Sequence, residues 1–367
     1  MRIGIDVHVL NGPPQGTASV WLNLLPHLPP THEYWLYSFD PSLTARHFPG
    51  SHFVHRRIPI HQSHFRIQFV YPWLARRDRC DAFHVNYYGP WFGAPGLVVT
   101  IHDLVYLDFP EYAPPRRRGQ MALLGRLSAR AARLITTDSS YWKDRIVERF
   151  GVSPGKVAVV PPGLGQEWTS PDWRAIEAAW ARIGTHLPPR FVLTVGRLDP
   201  RKNFPLAARV TRMLRDMGLA DGLVVVGPED FGATDVRRAW AHDGNEDLVT
   251  HMHRLSTAEL QALYVHAKCL LFLSMAEGFG MPPLEAMALG TPVVASNRTV
   301  MPEVCGDGAL LVDPANQEAV VTTVRKVLED EAGRLELVER GRSRAAMFTS
   351  ERMAREPMRM YESAAER

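Results

Sequence analysis

Cysteine is scarce: three occur in 367 residues, and Cys80, Cys269 and Cys305 are odd in number and far apart. That argues against a disulfide framework or a zinc site, fits a reducing cytoplasm, and leaves all three expected in or near the core. Long apolar stretches are missing too, and with no run of about 18 such residues no segment is expected to span a membrane. The opening MRIGIDVHVL has one arginine and a short apolar run broken by Asp6 and His8, so it reads as a buried strand and not as a leader peptide. Neither sign of charge dominates, since 42 Lys/Arg against 39 Asp/Glu leave +3, too little to imply nucleic acid. No repeat with a period of about 20 to 50 residues marks a solenoid.

What the chain does have is the composition of a globular protein, 46% hydrophobic and 22% charged, and length enough for two domains with separate cores. Its charges are unevenly spread. Residues 1 to 165 hold 18 Lys/Arg against 11 Asp/Glu and ten of the fifteen histidines, whereas residues 166 to 367 hold 24 against 28. Halves of opposite sign point to two domains with different partners. YWLYSF, DAFHVN, LVVTIHD, LITTDS and KVAVV join the opening run as six strands of a first domain; RFVLTVG, GLVVVG, EDLVTHM, KCLLFLS, TPVVAS and GALLVD make six of a second. Segments such as TASVWLNLLPHL and FPLAARVTRMLRDMG space apolar residues three and four apart, as helices between strands do. This alternation predicts an α/β fold of two Rossmann-like, doubly wound parallel-sheet domains, 1–168 and 169–348, with a polar helix over 349–367 able to pack back on the first. The boundary falls in PPGLGQEWTSPDW, where Pro, Gly and Ser concentrate.

Ligands of open parallel sheets sit beyond the carboxyl ends of the strands. The stretch EGFGMPPLEAMALGTPVVAS, starting at Glu277, lies at such a position. Pro282 and Pro283 suit the first positions of a helix, and Gly290 followed by Pro292 closes it after about two turns. Gly278 and Gly280 let backbone amides approach a ligand, and the helix N-terminus favours an anion, so the loop suits a phosphate or diphosphate. Glu277 and Glu285 would repel a bare phosphate, but they can accept hydrogen bonds from hydroxyls on either side of one, a glutamate for each of two sugars. GRLDPRKNF adds an anion clamp, because Gly196 ends a strand and Arg197 and Lys202 follow before a helix. Plainer readings stay open: surface cations for Arg197 and Lys202, a helix cap for Glu277, a first-turn acid for Glu285. There is no third glycine to complete a dinucleotide fingerprint.

GRLDPRKNF, SMAEGFGMPPLEAMALGTPVVAS and PEVCGDGALLVDP resemble family 4 retaining glycosyltransferases (glycosyltransferase group 1), and TIHDLVYLDFPEYAPP and TTDSSYWKDRI are similar to the same family's N-terminal domain. The match is collinear over nearly the whole chain. It implies the GT-B fold, two Rossmann-like domains facing across a cleft, and transfer of a hexose from a nucleoside-diphosphate sugar to a saccharide or lipid-linked acceptor with retention. It also implies roles. Glu277 would contact hydroxyls of the donor hexose, with the amides of Phe279, Gly280 and Met281 near sugar and phosphate. Glu285 would hold the ribose, and Arg197 and Lys202, next to Gly196, the diphosphate as leaving group. His102 would face the donor sugar with Asp103 beside it; a structural histidine and a turn residue are the alternatives. Ser139 and Ser140, at a strand end, are further candidates.

The chain holds no Asp-x-Asp pair, so transfer without a metal, and with no cofactor beyond the nucleotide-sugar substrate, is expected. The HDL...P region leans towards GDP-mannose without separating it from UDP-glucose. The family often carries a glycine-rich turn after its first strand; here the run is GPPQGTASVW, where Gly16 stands but Ala18, Ser19 and Val20 replace the expected Gly, Arg and Tyr, leaving acceptor identity open. Arg116, Arg117, Arg118, Arg126 and Arg130 recur on a helical pattern, and FVHRRIPIHQSHFRIQFVYPWLARRDR adds further Arg and His among aromatics; such a face suits an anionic membrane surface, on a protein expected in the cytoplasm and peripheral at the inner face of the membrane. A solvated helix face is the alternative, and no nucleic-acid recognition motif is present. Other functions compatible with the architecture are a non-catalytic nucleotide-sugar-binding partner and a sugar-nucleotide epimerase.

Overall fold

The computed structural model describes residues 1–12, 16–112 and 115–366, without the side chains of 115–117 and 355–356. Met1–Gly165 together with Ser350–Arg367 form one compact unit, and Gln166–Thr349 form the other.

The first unit is built on a seven-stranded parallel sheet of β1 (Arg2–Asp6), β2 (Glu33–Ser38), β3 (Phe53–Arg57), β4 (Ala82–Asn86), β5 (Leu97–Thr100), β6 (Leu134–Thr137) and β7 (Val157–Val159), ordered β3-β2-β1-β4-β5-β6-β7. The second holds six parallel strands, β8 (Phe191–Val195), β9 (Gly222–Val226), β10 (Val249–Met252), β11 (Cys269–Phe272), β12 (Val293–Ser296) and β13 (Leu310–Val312), ordered β10-β9-β8-β11-β12-β13. In each sheet the order reverses beside the first strand. Ile3 pairs with Tyr34 on one side and Ala82 on the other, and Leu270 with Leu193 and Val293. Such a reversal opens a crevice at the carboxyl ends, where the connecting loops part to opposite faces.

Central strands read as continuous apolar runs because helices cover both faces of a parallel sheet. β5, β8, β11 and β12 are buried at every residue. The six strands expected in the second half are all present; the first half has one more than expected. β3 is that strand, and its sequence FVHRR shows why it escapes a pattern reading: it is an edge strand, only Phe53 is buried, and the rest are partly exposed or exposed polar residues and one valine. Edge strands need not alternate cleanly, since one side lacks a neighbour.

The C-terminal helix Arg355–Ala365 belongs to the first unit's core through Met360, Tyr361 and Ala364. Tyr361 is fully buried and its hydroxyl meets His84 Nδ1 at 2.7 Å, while His84 Nε2 meets Thr100 Oγ1 at 2.6 Å. Burial holds the His84 pKa down to about 3, and neighbouring His102 pushes the same way, so this ring is neutral and structural. All three cysteines are buried and free.

Candidate functional site

The stretch 277–296 folds as its punctuation requires. Phe272 ends β11, a short irregular run follows, and the Met281–Ala288 helix starts with Pro282 and Pro283 in its first turn. Gly280 is the N-cap at φ +114°, a conformation open mainly to glycine, and a β-carbon there would sit 3.0 Å from Met301 Sδ. Among the described residues no backbone carbonyl accepts from the amides of Phe279 or Gly280. Phe279 itself is buried, its ring 5.8 Å from Phe348, so only its main chain can serve a ligand.

Glu277 is 5% exposed, and its carboxylate is gripped from two sides. Lys202 Nζ donates to Oε1 at 2.6 Å and Arg201 Nη1 to Oε2 at 3.1 Å. Arg201 Nη1 also donates to the Ala276 carbonyl, and the Glu277 amide donates to Thr299 Oγ1 at 3.1 Å. Burial alone would raise the Glu277 pKa; the Lys202 ammonium and then the Arg201 guanidinium outweigh it and hold the carboxyl well below its usual range. Lys202 is drawn down by burial and by Arg201, and Glu277 opposes both. The result is a compact cluster of a buried carboxylate and two partly buried cations, with Asp199 Oδ2 3.4 Å from Arg201 Nε as a second carboxylate.

Two glycines make room for the Lys202 turn. A β-carbon on Gly196, just past β8, would lie 3.0 Å from Lys202 Cε. Gly227, just past β9 at φ +148°, faces it so closely that a β-carbon would be 2.0 Å from the Gly196 carbonyl oxygen. Pro200–Lys202 is a single 3-10 turn begun by Asp199, whose side chain accepts from the Arg201 amide at 2.8 Å.

Glu285 lies one turn into the Met281–Ala288 helix, partly buried, and accepts from the Tyr264 hydroxyl at 2.8 Å. Burial raises its pKa to about 7; the Tyr264 hydrogen bond opposes this and the Glu167 carboxylate adds to it. It is a carboxyl poised near neutrality and available to hydroxyl partners.

In the first unit His102 follows β5, and Asp138 follows the adjacent strand β6. His102 Nδ1 meets both Asp138 oxygens, at 3.0 and 3.1 Å, and Tyr87 packs edge-on at 5.4 Å. Nε2 is buried with no partner among the described residues. Burial lowers the His102 pKa, but Asp138, with Asp103 helping, carries it above the ordinary value. Asp103 Oδ1 also accepts from the Val105 amide at 3.0 Å, as a turn residue does. Ser139 is the N-cap of the Ser140–Phe150 helix, its hydroxyl accepting from the Trp142 amide at 3.2 Å. Gly16 opens the Gly16–Leu24 helix, and a β-carbon there would meet nothing within 4 Å.

Lys202 and Glu277 are thus joined, Gly196 borders Lys202, and Glu285 sits in the same helix-and-loop element as Gly280 and Met281. Arg197 is set apart: it is exposed and pairs with Asp230 at 3.1 Å. The guanidinium that reaches Glu277 is Arg201, which sequence reasoning passed over. Asp138 was also missed, although its place at the end of the strand beside that of His102 signals it. Glu229, His251 and His253 bring ligand atoms within 4.8 Å of one another, but Arg237 already bonds Glu229 at 3.0 Å and meets His251 Nδ1 at 3.2 Å, so a metal ion would have to displace it.

Residues 178–344 match the family of glycosyl transferases group 1, and residues 14–167 match Glycosyltransferase Family 4. The chain belongs to this glycosyltransferase family, with the GT-B fold, and is a hexosyltransferase. It is similar to O-antigen chain mannosyltransferase B of Escherichia coli, 26% identical over 299 residues that cover 78% of this chain and 76% of that protein. Among solved structures, sucrose-phosphate synthase of Thermosynechococcus elongatus superposes with a TM-score of 0.76 at 19% identity over 98% of each chain. Anabaena HepE in complex with UDP-glucose does so at 0.73 and 16% identity, over 99% of this chain and 100% of that one. At such identities the structural likeness speaks for the fold.

Proposed function

We propose that this hexosyltransferase takes mannose from a nucleoside-diphosphate sugar and transfers it, with retention and without a metal, to a saccharide or lipid-linked acceptor. The observation that carries the reading is the buried Glu277 carboxylate between Lys202 and Arg201. Glu277 and Asp199 balance the charge of Lys202 and Arg201, so the two cations suit the oxygens of a diphosphate as pre-placed donors rather than as a net positive charge, while Glu277 accepts from hexose hydroxyls and Glu285 from the ribose. Arg197 lies close in sequence and joins the diphosphate if its Asp230 pair opens. The amides of Phe279, Gly280 and Met281 at the helix N-terminus add donors for the same anion.

The chemistry needs no more than these parts. As the bond from the anomeric carbon to the phosphate oxygen breaks, charge grows on the leaving diphosphate, and cations already in place stabilise it without reorganising. The acceptor oxygen bonds to the same face, and its proton passes to the departing phosphate, so no enzymic nucleophile is required. His102, oriented by Asp138, serves the same reaction from the first unit. Mannose is supported by the similarity to an O-antigen mannosyltransferase, and a nucleotide sugar by a structural neighbour bound to UDP-glucose. No helix among the described residues is long and apolar enough to cross a membrane. The basic helix with Arg118, Arg126 and Arg130, and with Arg116 and Arg117 whose side chains lie outside the described residues, then suits peripheral contact at the cytoplasmic face. The test is release of sugar from GDP-mannose and UDP-glucose in EDTA, with the anomeric configuration of the product read by NMR. Retained configuration in EDTA supports the reading; inversion, or turnover only with added magnesium, overturns it.

A further inference from the structure

Ser63 to Arg77 run as one continuous helix, α over Ser63–Phe65, π over Arg66–Val70 and α again over Tyr71–Arg77. Between Phe65 and Ala75 only three residues are exposed, Phe65 at 48%, Phe69 at 57% and Trp73 at 53%; everything between them is buried, including Arg66 and Gln68. Each outward position over these eleven residues is therefore a large aromatic. A solvated helix face would carry charged or polar side chains there. Four residues overshoot an α turn of about 3.6 and fall short of a wider π turn, so a helix that mixes the two keeps positions 65, 69 and 73 in one row.

Neighbouring segments extend the feature. Trp91 and Phe92 are 40% and 81% exposed, and their loop is pinned to the helix, with the Trp91 amide donating to Gln68 Oε1 at 2.9 Å. The Pro115–Ala131 helix meets the same segment through Gln120 and His64 at 2.9 Å, and presents Leu123, 59% exposed, with exposed Arg126 and Arg130. Arg76, Arg77 and Arg79 are exposed where the aromatic row ends, and the Arg77 guanidinium lies 4.7 Å from the Trp73 ring centroid. Arg77 is partly neutralised by Asp78, at 2.7 Å. Aromatic rings flanked by guanidiniums suit the headgroup level of a bilayer, where ring faces meet acyl chains and cations meet phosphates.

We propose that the Phe65–Phe69–Trp73 row, with Trp91 and Phe92 beside it and its arginine rim, docks the first unit on an anionic phospholipid bilayer. This rests on the peripheral contact proposed above and moves its centre from the Arg116–Arg130 helix to the aromatic row. The occupant follows from charge complementarity: the row is rimmed by arginines, and residues 1 to 165 carry 18 Lys/Arg against 11 Asp/Glu.

The test is flotation of the full chain with phosphatidylcholine vesicles, with and without phosphatidylglycerol, at low and at physiological salt. Parent protein is compared with a Phe65→Ser, Phe69→Ser, Trp73→Ser triple variant, whose exposed positions leave the fold intact by circular dichroism. The parent is expected to float with the phosphatidylglycerol vesicles in a salt-sensitive manner, and the triple variant to bind at least about ten-fold less. Its release of sugar from nucleotide sugars in lipid-free solution is expected to match the parent's. Loss of flotation in the variant supports docking even if no nucleotide sugar is turned over, so failure of the transferase reading would be seen separately. A parent that does not float, or a variant that floats as well as the parent, overturns the proposal. So does a parent dimer, seen by light scattering, that the triple variant dissolves while neither protein floats, because the row would then belong to a second copy of the chain.

Discussion

Lys202 and Arg201 share one buried acid, and the consequences can be read residue by residue. Removing one partner of a buried pair leaves charge uncompensated, but here the second cation still holds Glu277, so the fold survives loss of the lysine. Lys202→Ala is therefore expected to keep its circular dichroism while turnover falls by about 10² to 10³. Unchanged turnover would remove the lysine from the site. Glu285 makes a prediction about pH. Its folded pKa is raised to about 7 from an ordinary 4.5, so between those values the unfolded chain has lost a proton that the folded chain keeps, and stability falls as pH rises through that window. Glu285→Gln is expected to gain thermal stability over the parent as pH goes from 5 to about 8, and a pH-independent difference in melting temperature would contradict this. His102 has the same sign, because its folded pKa is raised as well. Its raised pKa contributes stability that is complete below the ordinary 6.5 and fades as pH rises through the folded value. Asp138→Asn should cost most stability at acidic pH and move the pH–rate profile downwards; a profile left in place would make the pair purely structural. At this scale the placement of Glu277, Lys202, Glu285 and His102 in loops after strands and at helix starts was legible, because glycine and proline punctuate their motifs. Arg201 was not, because only the 3-10 turn decides which of two neighbouring cations points inwards, and that depends on the Asp199 cap.

Elements carry the site through their junctions. The ends of β8 and β9 are followed by glycines with little room, Gly196 and Gly227, and Gly227 is the tighter. Gly227→Ala would set a methyl group 2.0 Å from the Gly196 carbonyl oxygen and strain a φ of +148°. It is expected to lower the melting temperature and to weaken nucleotide-sugar affinity together, since Gly196 and the Lys202 turn must shift; a variant matching the parent in both would show that the turn is not fixed by this contact. Sequence patterns exposed nearly all strands, because apolar runs on doubly covered sheets are unmistakable. They hid β3 and the Ser63–Arg77 helix for one shared reason. Both lie in a stretch of mixed Arg, His and aromatics, where an edge strand and an aromatic row facing outwards break the inside-apolar rule on which pattern reading rests.

For the molecule as a whole, two parallel sheets with the same order each offer a crevice at the carboxyl ends, and the chain's end returns to the first. Tyr361 is the anchor of that return, and Tyr361→Ala is expected to cost about 3–5 kcal/mol of stability by denaturant unfolding, as for other buried aromatics. A loss under 1 kcal/mol would mean that the tail packs without contributing. The proposed function stands or falls on one property of the second unit, an anion clamp made of side chains and backbone amides without a metal. Its most direct test is calorimetric titration of the full chain with GDP-mannose, and with UDP-glucose alongside, in EDTA. Saturable binding of a nucleotide sugar in EDTA, weakened strongly by Lys202→Ala, is expected; no binding until magnesium is added, or binding indifferent to Lys202, would rule the metal-free clamp out.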